Sequence, residues 1–134
     1  MENIKKGNIK MRLEQFDYDI VYRDAYGNKY FLKFYTTQYE SGNTLLACNC
    51  TTDGTWWEPY AIISKNFCGD WHYDDKREIF IDVNNIGDNL YQVLIDKGII
   101  RVTGIKMLSG YCEYPLAYIN EHWYKTMPKK GGLY

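Results

Sequence analysis

In the stretch Phe16-Asp17-Tyr18-Asp19-Ile20-Val21-Tyr22-Arg23, the side chains of Phe16, Tyr18, Ile20 and Tyr22 alternate with Asp17, Asp19 and Arg23. A period of two is the signature of a strand with one wet face. Ala25-Tyr26-Gly27-Asn28 then supplies turn chemistry, and residues 30–39 resume with aromatic and β-branched side chains, so the two runs read as a hairpin. Ser41-Gly42-Asn43 turns the chain into a third strand over residues 44–51. Thr52-Asp53-Gly54 closes it before a fourth over residues 56–67. The spacing predicts a four-strand meander.

Beyond a polar segment over residues 68–76, the chain returns to strand over residues 78–84, with Ile79, Ile81 and Val83 on one face. Ile86, Leu90, Val93 and Leu94 then fall at i, i+4, i+7 and i+8, one apolar stripe of a helix from Ile86 to Lys97. Asn84 or Asn85 suits its start, Asp88 suits the positive first turn, and Gly98 marks its end. Residues 99–108 and 111–119 read as a closing strand pair joined at Ser109-Gly110, and residues 122–127 as a last helical turn. Residues 128–134, with Lys129-Lys130-Gly131-Gly132, are expected to fray.

The fold expected is α+β: residues 1–134 as a single domain, a twisted and mainly antiparallel sheet of about six or seven strands with the Ile86–Lys97 helix packed on one face. Length and composition agree, because 134 residues bury one core without staples, and 46% hydrophobic with 25% charged residues is a globular balance. An aromatic share of 17% favours the half-buried pleated surface of strands. No run approaches the ~18 apolar residues of a membrane span. Residues 1–12 are basic, with Lys5, Lys6, Lys10 and Arg12, and lack the apolar run of a signal peptide. Cytoplasmic location is expected, with Cys48, Cys50, Cys68 and Cys112 as reduced thiols.

Formal net charge is −1, yet residues 70–96 hold seven acids against Lys76 and Arg77, a local −5. Such a chain is no basic nucleic-acid coat. Five chemistries compete against that background. Cys48-x-Cys50 with Cys68 and His72 offers zinc ligands, but the spacing misses the usual knuckles, and a Cys-x-Cys after Leu45-Leu46-Ala47 reads as core. Cys68 near His72 sits in no nucleophile motif. Asp70, Asp74, Asp75, Glu78 and Asp82 offer oxygens for Mg²⁺ or an acid/base pair, yet read as a solvated loop and strand face. Tyr30, Phe31, Lys33, Phe34 and Tyr35 offer a stacking platform for single strands without the positive groove that normally accompanies one. No catalytic residue, metal or cofactor is expected.

The fifth class is protein binding. Trp57 stands at a strand start, and Trp71 and Tyr73 stand in an acidic loop with Asp70, Asp74 and Asp75, where a connector would use Ser, Gly or Asn. Trp and Tyr dominate interface energies and acids steer a basic partner, so these six residues are the expected protein-binding site, with Trp71 and Tyr73 as exposed anchors.

Trp57-Glu58-Pro59-Tyr60-Ala61, Phe80-Ile81-Asp82-Val83-Asn84-Asn85, Thr103-Gly104, Ser109-Gly110-Tyr111 and Tyr114-Pro115-Leu116 resemble an uncharacterised bacterial family of small proteins. Its members are similar to genes of conjugative elements, plasmids and phages, mostly of low-GC Gram-positive bacteria, and the likeness covers residues 56–120. It implies no catalytic residue. Joined to the acidic, aromatic loop, it implies a non-enzymatic accessory protein of a phage or mobile genetic element that binds a host or element protein with a basic surface. Inhibition of a nuclease-based defence, anti-CRISPR or anti-restriction, is one form of that expectation. The alternatives are a single-stranded nucleic-acid-binding domain and a small zinc- or cysteine-dependent enzyme.

Overall fold

The computed structural model describes residues 16–133; the basic stretch over residues 1–12 lies outside them. The first hairpin forms as expected, β1 (Ile20–Arg23) running antiparallel to β2 (Lys29–Gln38) with Ile20 opposite Leu32 and Tyr22 opposite Tyr30. Its turn is held by Asp24, whose carboxylate accepts the backbone N–H groups of Tyr26 and Asn28 at 2.9 Å, while Gly27 takes φ 82°. Phe16 and Tyr18 precede the strand instead of extending it, and both rings meet Phe31 edge-on at 4.8 Å. Asp19 carries the pairing beyond β1, its N–H donating to Leu32 O at 2.8 Å and its carboxylate accepting the Phe34 N–H at 2.7 Å.

β3 (Thr44–Thr51) and β4 (Glu58–Ile62) complete the meander. The strand expected over residues 56–67 does not continue in one sheet. Ile63 donates its N–H to Leu46 O and accepts the Asp82 N–H, both at 2.8 Å, and so belongs to two sheets at once. Ser64 fixes this corner, its buried hydroxyl accepting the Leu46 N–H at 3.0 Å and meeting the Tyr39 hydroxyl at 3.0 Å. β5 (Ser64–Lys65) then opens a second sheet with β6 (Glu78–Ile81), β7 (Ile100–Ser109) and β8 (Cys112–Ile119), in the order β5-β6-β8-β7. The chain is α+β and mainly antiparallel as expected, with its strands divided between two sheets.

Two boundaries differ from expectation. Val83 leaves the strand to start a short helix, α1 (Val83–Ile86), and Gly87 at φ 85° separates it from α2 (Asp88–Asp96). The stripe survives the break, for Ile86, Leu90 and Leu94 are buried. Asn84 and Asn85 are not caps: they lie inside α1, and Asn85 donates its amide to Ile62 O at 3.2 Å. The segment expected to fray is the second correction. Residues Lys129–Leu133 form β9, parallel to β2, and Thr36 donates its N–H to Pro128 O at 3.0 Å. β1 pairs only the first part of β2, residues 29–32, so β9 takes up bonding groups along the same edge that would otherwise be open.

The main core lies between the sheets, with Leu32, Phe34, Leu46 and Cys48 on one side, Ile79, Ile81, Ala117 and Ile119 on the other, and Leu90 and Leu94 closing it. Strand alternation sends Glu78 and Phe80 to the opposite, outer face of the second sheet. There Phe80, Leu116, Tyr114 and Phe67 form a second, smaller core. Among the described residues, no helix is long and apolar enough to cross a membrane.

Candidate functional site: an acidic loop beside a cationic groove

The loop over residues 66–77 lies on that outer face. Asp70 and Trp71 both donate their N–H groups to Phe67 O, at 3.3 and 3.2 Å, and Gly69 takes φ 88° to make so tight a turn. The turn lays the Trp71 ring edge-on to Phe80 at 5.4 Å, and Tyr73 follows at 6.0 Å. Each aromatic also closes a polar contact. The Tyr73 hydroxyl accepts the Phe67 N–H at 2.9 Å, and the Trp71 indole donates to Glu78 Oε1. At its far end the loop is tied to the first sheet's β2–β3 turn, where Lys76 Nζ donates to Gly42 O at 2.7 Å and Thr44 Oγ1 donates to Lys76 O.

Trp71 and Tyr73 are therefore half-buried cover for the second core, not the free anchors expected from the sequence. What the loop presents outward is charge. Asp70, His72, Asp74 and Asp75 are exposed; His72 Nε2 lies 3.4 Å from Asp74, and Asp75 lies 3.4 Å from the Arg77 guanidinium. Trp57 is not part of this surface. It stands at the start of β4 in the other sheet, half-buried, with its ring 6.2 Å from Phe16. Its neighbour Trp56, which is not among the six expected site residues, is 74% exposed.

The sequence places Glu78 on a solvated face, yet it is 2% exposed. A buried carboxylate needs partners on both oxygens. Trp71 satisfies one and the Tyr118 hydroxyl the other, at 3.3 Å, with Tyr118 directly opposite on β8. Its negative charge, and secondarily burial, hold the Tyr118 phenol above its ordinary pKa. Arg101 of β7 is opposite Tyr118 on the other side, so Glu78, Tyr118 and Arg101 make one row across three strands.

Tyr118 and Arg101 of that row line a half-open groove of about 660 Å³ together with Arg77, Asn120, Glu121, His122 and Lys125. The Arg77 guanidinium sits 5.7 Å from the Tyr118 ring centroid. Asn120 caps α3 (Glu121–Thr126) by accepting the His122 N–H at 3.0 Å. Lys125 pairs with Glu121 at 2.9 Å and holds that carboxyl below its usual range. Arg101 has no ion-pair partner among the described residues. Sequence reasoning missed this groove because its residues come from three separate segments, and only strand pairing gathers them.

The other sequence candidates fall apart in space. Phe31, Phe34 and Tyr35 of the proposed stacking platform are buried, and Lys33 pairs with Asp17 at 2.7 Å, so that strand is core and not a binding face. Cys48 and Cys50 lie in the main core, where burial pushes the Cys48 thiol up to about 12 and raises Cys50. Cys68 and His72 are exposed on the loop. Among the described residues, no group of three or more His, Cys, Asp or Glu side chains is placed to hold a metal ion.

A family model described as a domain of unknown function, DUF4313, matches residues 32–131. The match extends beyond residues 56–120, the stretch that the sequence resemblance covers. No curated protein and no solved structure gives a significant match to the chain.

Proposed function

The chain belongs to the DUF4313 family, and from that premise we propose that it is a non-enzymatic binding protein whose 66–77 loop engages a partner protein with a basic surface. The observation that supports this reading is a set of carboxylates held in place. Asp70, Asp74 and Asp75 project from a loop whose two aromatics are clamped beneath it. A preorganised acidic ridge loses little conformational entropy on binding, and it steers a cationic partner at long range. In its finer form the proposal makes the chain an accessory factor of a phage or mobile genetic element. The ridge would then occupy the cationic surface with which a defence nuclease, of the restriction or CRISPR type, holds nucleic acid. That form draws on the sequence resemblance and on the local charge of residues 70–96.

The test is a titration of purified protein against a panel of restriction endonucleases and RNA-guided nucleases, read as cleavage rate and association rate. Wild type is expected to slow at least one of them. Asp70→Lys with Asp74→Lys, which leaves the Asp75–Arg77 pair intact, is expected to slow association on the order of tenfold and flatten its salt dependence. Equal association by wild type and the double variant would remove the ridge from the interface.

A further inference from the structure

We propose that the groove between β6, β8, β7 and α3 is a binding site for a nucleotide, its phosphate held by Arg101 and Lys125 and its base laid against the Tyr118 ring. This goes beyond the acidic-ridge reading, uses other residues, and can fail or hold without it.

Charge is the first argument. In a chain of net charge −1, three permanent cations, Arg77, Arg101 and Lys125, line one recess whose lining has a single carboxylate, Glu121, and among the described residues the only other carboxylate paired with any of them is Asp75, 3.4 Å from Arg77. Arg101 has no ion-pair partner among the described residues, so its fork of donors is available to a phosphate. Lys125 is paired only with Glu121, both side chains being well exposed, and exposed pairs exchange partners at little cost. Size is the second argument, because about 660 Å³ lies within the range of small-molecule sites.

Tyr118 is the third argument and the one that selects a nucleotide over a bare anion or an acidic peptide. Its hydroxyl is tied to buried Glu78 at 3.3 Å, which anchors the outer end of the ring, and the Arg77 guanidinium lies over the ring, 5.7 Å from its centroid. An anchored aromatic ring beside guanidinium groups is a stacking surface for a planar base. Asn120 adds base-edge chemistry: its Oδ1 is used by the helix cap, and its Nδ2 has no partner among the described residues. A carboxylate side chain of a peptide would use the cations and leave the ring idle.

The nucleotide has two sources, a free nucleoside phosphate or the phosphorylated end of a single strand, and the experiment separates them. Binding to the full chain is measured by NMR titration with AMP, adenosine, inorganic phosphate, a short single-stranded oligonucleotide with and without a 5′ phosphate, and poly-glutamate. AMP is expected to bind at least tenfold more tightly than adenosine or phosphate, shifting Tyr118 and Arg101 resonances. Tighter binding of AMP than of the phosphorylated strand assigns the free nucleotide, and the reverse order assigns the strand end. Arg101→Ala and Tyr118→Leu are each expected to weaken binding about tenfold, while Tyr118→Phe, which keeps the ring, holds within threefold. Arg101 is exposed, so its variant reports binding even if the Tyr118 variants fold poorly. Poly-glutamate or bare phosphate binding as tightly as AMP, or no saturable AMP binding at millimolar concentration, would overturn the assignment.

Discussion

On the outer face of the second sheet, Phe80, Leu116 and Tyr114 lie beneath the 66–77 loop, whereas Tyr118, two residues from Leu116 on the same strand, lies outside it with Arg101 alongside. Glu78 marks the border, sharing its carboxylate between Trp71 of the cover and Tyr118 of the open side. One carboxylate thus organises both halves. It gives the loop's indole a buried partner, and it anchors the ring that lines the groove. The same sheet surface serves folding on one side and presents cations on the other, Arg101 among them without an ion-pair partner among the described residues, and the difference lies in what the loop's aromatics reach.

The largest expected effect falls on the covered half. Phe80 is fully buried and meets the rings of Phe67, Trp71 and Tyr73, so Phe80→Ala is expected to cost about 3–5 kcal/mol in urea denaturation. Trp71→Ala comes next, at roughly 2–4 kcal/mol, from lost packing plus a Glu78 oxygen left without its donor. Trp71→Phe should recover only the packing part. A Trp71→Ala midpoint equal to wild type would make the ring a free surface anchor after all and erase the covered half.

At the border the expected effect is a titration. Below its ordinary pKa of 10 Tyr118 is neutral beside the Glu78 carboxylate, and its raised folded pKa means that its share of stability is present there and lost as pH rises through the folded value. Glu78→Gln removes the charge, so the Tyr118 phenol should titrate at lower pH than in wild type, followed by the ring-carbon NMR shift. An unmoved titration would separate Tyr118 from Glu78. The smallest effect is expected on the open half, where Arg101→Ala should leave stability within about 0.5 kcal/mol. A loss comparable with Phe80→Ala would mean that the two halves do not differ.

Much of this fold is legible in local pattern. Period-two alternation finds β1, and the Ile86, Leu90, Leu94 stripe finds the helical layer even across the break at Gly87. Where the sequence misleads, a distant partner decides. Glu78 sits among solvated acids, and nothing in its neighbourhood announces Tyr118, forty positions on, as its cross-strand partner. Trp71 reads as exposed because its neighbours are polar, while its half-burial comes from packing on Phe80 and bonding to Glu78, both on β6. Ala61-Ile62-Ile63 is uninterrupted apolar sequence, so the change of sheet at Ile63 leaves no periodic trace; buried Ser64 directly after it is the one signal that was readable. β9 has no strand pattern in Lys129-Lys130-Gly131-Gly132, its pairing being set by the edge that β1 leaves open on β2. The acidic half of the candidate site was legible as composition, and the cationic half was not, because Arg77, Arg101 and Lys125 become neighbours only through the sheet.

Hydrogen exchange at the tryptophan indoles tests the division of this face most directly. Trp71 Nε1–H is bonded to a carboxylate that is 2% exposed, whereas Trp56 is 74% exposed and its indole has no partner among the described residues. In native-state NMR exchange the Trp71 indole proton should persist with protection approaching that of core amides, and the Trp56 proton should exchange at the rate of a free indole. Trp71 exchanging as fast as Trp56 would mean that the 66–77 loop stands away from the sheet, and the account of cover, border and groove would not hold.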